Sequence, residues 1–165
     1  MTVLTDGRIV LMTDGGGLSV IDGLGKIADV TRLPNPNRSS LAATMGYDLE
    51  LERGGTLLAV VGGRLFRVAP DWSYTELRPE GTSVARGVDP LDDGGFLLAA
   101  RHRVLRVSSG GAAEPLAGSG TGGRARVGAA LASPAGAPMD VVRMPDGALA
   151  FTDVNSHSVM EVRDA

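Results

Sequence analysis

The chain contains no cysteine. That excludes a disulfide framework, a cysteine-based zinc site and a thiol nucleophile together, and it fits a cytoplasmic location. Lysine is almost missing too: Lys26 is the only one, and the other 15 basic residues are scattered arginines. With a net charge of −3 there is no basic surface for nucleic acid or for an anionic membrane. Trp72, Tyr47 and Tyr74 are too few to stack on bases or sugars. No apolar run approaches the ~20 residues of a membrane helix. Met1 is followed by Thr, Val, Leu, Thr, Asp and Gly rather than by a basic and then an apolar segment, so no signal peptide is expected.

What is abundant is glycine, with 24 copies, against a background that is 43% hydrophobic. The glycines are spread between short apolar runs, as in a chain of short strands and tight turns. Those runs repeat. Turns at Asp6-Gly7, Gly54-Gly55, Gly94-Gly95 and Asp146-Gly147 are 48, 40 and 52 residues apart. Each opens onto an apolar run: RIVLMTD (8–14), TLLAVVG (56–62), FLLAARH (96–102) and ALAFTDV (148–154). A polar or glycine turn follows, then a second run: LSVI (18–21), RLFRV (64–68), RVLRV (103–107) and SVMEV (158–162). From the last turn glycine to the closing Ile or Val is 14, 13, 12 and 15 residues.

Flanking segments add a strand on each side, such as YDLELE (47–52) before and YTELRP (74–79) after the second pair. The fourth copy has no downstream strand. The repeating unit is thus four antiparallel strands in about 40–50 residues, the size of a β-propeller blade. The expectation is an all-β chain of about four blades, roughly 1–34, 44–80, 84–118 and 129–165, forming an incomplete or open propeller. An arc within a truncated gene product, a dimer that completes a ring through exposed blade edges, and a minimal four-blade ring are the alternatives, in that order.

The stretch 116–165 carries a glycine-rich loop (118–128), ALASP (130–134), MDVV (139–142), MPDG (144–147), ALAFTD (148–153) and NSHSVMEV (155–162). In this order the elements resemble the NHL-repeat family of β-propellers. The resemblance implies that Asp153, Asn155 and His157 shape the turn between the two middle strands. Asx side chains do this by bonding nearby backbone groups.

Catalytic constellations are thin. Ser156, His157 and Asp153 are neighbours in one turn, whereas a triad needs convergent geometry. GSGTGGRARVG (118–128) lacks the Lys-Ser/Thr and the helix of a phosphate loop. Carboxylates are the more promising class. Asp48 and Asp140 both lie seven residues before their turn glycines, Gly55 and Gly147, which makes them equivalent on strands lining a central channel. Asp89, six before Gly95, is a looser match. Together they could hold Ca²⁺ or another divalent cation, as in the virginiamycin B lyase-like and gluconolactonase-like propeller enzymes. Neither His102 nor His157 falls on such a strand. The favoured expectation is a non-catalytic module binding a protein or small ligand through a loop face. The alternative is a metal-dependent lyase or hydrolase.

Overall fold

The computed structural model describes residues 1–13, 15–35, 46–82 and 84–163. Asp14 at the end of the run RIVLMTD, and residues 44–45 and 164–165 at the ends of two expected blades, lie outside them.

The described chain is all-β and forms four separate antiparallel sheets in chain order. The first holds β1 (Thr2–Val3), β2 (Ile9–Met12), β3 (Gly17–Ile21) and β4 (Ile27–Arg32). The second holds β5 (Tyr47–Leu51), β6 (Leu57–Val61), β7 (Arg64–Val68) and β8 (Tyr74–Leu77). The third holds β9 (Ala85–Pro90), β10 (Phe96–Ala100), β11 (Arg103–Val107) and β12 (Ala113–Ala117). The fourth stops at three strands, β13 (Pro138–Arg143), β14 (Leu149–Asp153) and β15 (Ser158–Val162). Each sheet is a simple meander, so every strand pairs with its sequence neighbour.

One turn, used four times, explains the spacing of the repeats. It joins the first and second strand of each sheet. Its glycine N–H donates back three residues: Gly7 to Leu4 O, Gly55 to Glu52 O, Gly94 to Leu91 O and Gly147 to Met144 O. Each of these glycines has a φ between +81° and +90°, a region costly for residues with a Cβ. In the third copy the turn glycine is therefore Gly94, one residue earlier than the spacing count assumed. Seven residues before it stands Gly87, not Asp89. The pairing agrees: Asp48 faces Val60, Gly87 faces Ala99 and Asp140 faces Thr152, each the fourth residue of its second strand. Asp89, opposite Leu97, occupies the register of Glu50, opposite Leu58.

The core lies in three seams between successive sheets rather than in one centre. Val10, Leu18 and Val20 of the first sheet meet Leu49, Leu57, Ala59 and Phe66 of the second. Leu58, Val60 and Leu65 meet Val88, Phe96, Leu98 and Leu105 of the third. Leu97, Ala99 and Val104 meet Val141, Leu149, Phe151 and Val162 of the fourth. Middle strands covered on both faces are apolar without alternation, which is why β6 (LLAVV) and β10 (FLLAA) are buried at every residue. The innermost strands come closest. A Cβ on Gly87 would stand 2.6 Å from the Met139 carbonyl oxygen, so the approach of β9 to β13 depends on a missing side chain.

Candidate functional site

The innermost strands β5, β9 and β13 alternate, so Leu49, Val88 and Val141 turn into the seam behind them. Their neighbours turn forward. This places Asp48 and Glu50 toward the third sheet and Asp89 toward the fourth, while Asp140 is exposed, with Oδ1 2.9 Å from the place a Gly87 side chain would take. Four carboxylates thus gather along the axial strands, one more than the sequence reading had found.

Most of their hydrogen-bonding capacity goes to backbone. Asp48 accepts from Leu49 N at 2.8 Å and from Val88 N of the next sheet at 2.8 Å. Asp89 accepts from Arg143 N of the sheet after it at 2.7 Å. In both cases a carboxylate of one sheet reaches the N–H one register step further along the next. By the same rule Glu50 should reach residue 90. That residue is Pro90, which has no N–H to give, and among the described residues Glu50 makes no hydrogen bond. Asp140 binds Val141 N at 2.8 Å with one oxygen, as Asp48 binds Leu49 N, and its second oxygen meets no donor among the described residues.

The electrostatics follow from that crowding. Burial pushes Glu50 up to about 7 from 4.5, and the charges of Asp48, Asp89 and Asp140 push it further in the same direction. Burial also raises Asp48, against the lowering effect of the Val88 N–H, with Asp140 adding to the rise. Asp89 is raised by burial and by Asp140, while the Arg143 N–H opposes. Arg86, near the other end of β9, sits with its Nε buried and unbonded and its Nη1 3.4 Å from Met139 Sδ. Burial lowers its affinity for the proton, and the nearby Arg101 adds to this.

The turn residues Asp153, Asn155 and His157 lie away from this cluster. Asp153 is buried and accepts from Gly136 N at 2.7 Å and Ser156 N at 3.1 Å. It caps the short 3₁₀ turn Val154–Ser156, and His157 closes that turn with a φ of 51°. Asn155 is exposed within the turn, with its Cβ against the place a Gly136 side chain would take. Ser156 Oγ accepts from Ala125 N at 2.7 Å, so this turn holds the glycine-rich connection in place. His102 does the same from the third sheet, its Nδ1 2.9 Å from Ala135 O. Among the described residues no three His, Asp or Glu side chains are grouped to hold a metal ion.

A second feature is a groove of about 330 Å³ between β15 and the glycine-rich connection. Phe151, Met160, Val162 and Ala117 form its apolar floor, and Val127 and Pro134 its outer wall. It lies beside the open edge of the three-stranded sheet.

A comparison with solved structures decides the fold. The chain matches virginiamycin B lyase from Staphylococcus aureus with a TM-score of 0.66 and 16% identity, over 98% of this chain and 54% of the lyase. It matches an auxiliary nutrient binding protein from Bacteroides thetaiotaomicron with a TM-score of 0.74 and 12% identity, over 95% of this chain and 45% of that one. A protein of unknown function from the same bacterium gives 0.76 and 11%, over 93% and 44%.

The fold is an open β-propeller.

At these identities the likeness concerns the fold alone. The chain spans about half the length of these three solved propellers. No protein-family model and no curated protein matches it. No helix among the described residues is long and apolar enough to cross a membrane.

Proposed function

We propose that the chain is a non-catalytic propeller module of the NHL type that binds a protein or small ligand through a loop face. One observation carries this reading. The groove on the fourth blade combines an apolar floor with an open strand edge, the two features by which an extended peptide is bound: backbone pairing for affinity and a pocket for alternate side chains. In the first three blades a fourth strand takes the equivalent place, and its inward residues are apolar, as Val30, Leu77 and Leu116 are. The ligand that fits best is therefore a protein segment in extended form with small apolar residues at alternate positions. The NHL-type assignment rests on the motif order across residues 116–165. The non-catalytic assignment rests on the use of His102, Asp153 and Ser156 in holding loops.

A labelled peptide copying residues 112–118, the chain's own outer strand, tests this by fluorescence anisotropy. Saturable binding that weakens at least tenfold in Val127→Glu supports the reading, since Val127 is fully exposed on the groove wall and its loss leaves the core intact. No binding, or equal binding to both proteins, refutes it.

A second reading is favoured by the mutual coupling of the axial carboxylates. Asp48 and Asp140 would bind Ca²⁺ or another divalent cation in a metal-dependent enzyme of the virginiamycin B lyase-like or gluconolactonase-like type. Asp48 already has both oxygens on backbone N–H groups, so the described residues fit a metal poorly without further ligands. A calcium-dependent rise in melting temperature that Asp140→Asn abolishes would establish the ion by mass action. No rise with calcium, magnesium or manganese would end this reading.

A further inference from the structure

We propose that the forward face of the fourth blade docks the rear face of the first blade of a second copy, so that two chains close one ring. The argument starts from the three seams inside the chain, all built alike. In each, the forward residues of one blade's middle strands meet the rear residues of the next. The register identifies the corresponding residues of the fourth blade. Thr152 stands where Val60 and Ala99 stand, and Val159, opposite Thr152, stands where Leu65 and Val104 stand. Leu65 and Val104 are buried in their seams, whereas Val159 is 71% exposed. Val142, in the register of Glu50 and Asp89, is exposed as well.

The rear face of the first blade is open in the same way. Ile9 and Ile21 correspond to Leu57 and Val68, which are buried in the first seam. Beside them Met1, Val3 and Ile27 are 84%, 56% and 61% exposed. Each end of the arc therefore presents the half of a seam that the other end lacks.

Asp140 adds a polar signature to the apolar one. It repeats the conformation of Asp48, with one oxygen on the N–H of the following residue. The second oxygen of Asp48 ties its blade to the next, whereas the second oxygen of Asp140 meets no donor among the described residues. Why a second copy should supply that blade follows from length. Several of the solved propellers this chain matches are about twice as long as it is, so one more copy restores a ring of that size. The contact is heterologous, and such contacts close into rings when the rotation per subunit allows it.

Light scattering after size exclusion gives the first test. The expected mass is twice 16.9 kDa, falling to one chain in Val159→Lys. Ser109→Lys, on the exposed turn between β11 and β12 of the third blade, should remain a dimer. Circular dichroism of each variant checks that it is folded.

Cross-linking gives the second test, which survives an unfolded variant. Within the chain, Asp89 touches Arg143 N across a seam. The same two registers in the proposed junction are Val142 of one copy and Val3 of the other. Since the chain has no cysteine of its own, a mixture of Val142→Cys and Val3→Cys proteins should form one disulfide-linked pair on mild oxidation, and neither protein should cross-link with itself. A monomer at every concentration overturns the proposal and leaves the faces to another polypeptide, including a continuation of the same chain. Self-cross-linking of Val142→Cys overturns it in favour of a contact between the forward faces of two fourth blades. Masses that grow without limit show that the rotation does not close.

Discussion

Glu50 offers the sharpest test of the axial cluster. Its carboxyl is raised from 4.5 to about 7, first by burial and then by Asp48, Asp89 and Asp140. Between those two values the folded chain holds a proton that the unfolded chain has released. Stability therefore falls as pH rises from about 4.5 to about 7, and above that the full penalty remains. At about 1.4 kcal/mol per unit, the shift corresponds to about 3 kcal/mol. The side chain is only half-buried, so solvent screening reduces this to about 1–2 kcal/mol. Glu50→Gln removes the charge and keeps the shape. It should raise the melting temperature by about 2–8 °C at pH 8, given about 2–4 °C per kcal/mol in a domain of this size. At pH 4, where the glutamate is protonated in the folded state, the two proteins should melt together. Calorimetry of both proteins at both pH values, with ionic strength held constant, measures the difference directly. An equal shift at pH 4 and pH 8, or a lower melting temperature for Glu50→Gln at pH 8, would refute the claim that crowded carboxylates strain the axis.

Three further outcomes follow from the packing. Asp153→Ala removes a buried acceptor from the Gly136 and Ser156 N–H groups and should cost about 2–4 kcal/mol in chemical denaturation, with protease cleavage appearing in the 118–136 connection. Leu98→Ala, at a fully buried site in the second seam, should cost about 2–5 kcal/mol, against under 1 kcal/mol for Leu24→Ala on the exposed turn. Gly87→Ala should cost about 1–3 kcal/mol, because its new methyl would meet backbone of β13 at 2.6 Å rather than a yielding side chain. Equal stability of Gly87→Ala and the parent protein would show that the strands can part without loss.

The sequence by itself determined the all-β class and the four-fold repeat. Each is written in local signals: glycines that tolerate positive φ at fixed offsets, and apolar runs of strand length between them. Glu50 was within reach of the same logic, since it alternates with Asp48 on one strand and must share its face. The shared register of Asp48 and Asp140 was also readable, because both count back to a true turn glycine. The third copy misled because two adjacent glycines, Gly94 and Gly95, both suit a turn, and only the folded backbone distinguishes them, through the positive φ of Gly94 and its hydrogen bond to Leu91.

What the tertiary structure alone decided is how the blades are tied. That Asp48 reaches Val88, that Asp89 reaches Arg143, and that Pro90 leaves Glu50 without a donor all depend on strands 40 or more residues apart coming side by side. The groove beside β15 and the two open end faces arise in the same way. A repeat specifies its own strands through short-range turns, but the seams exist only where two repeats meet, and no single repeat encodes which of its faces will be left without a neighbour.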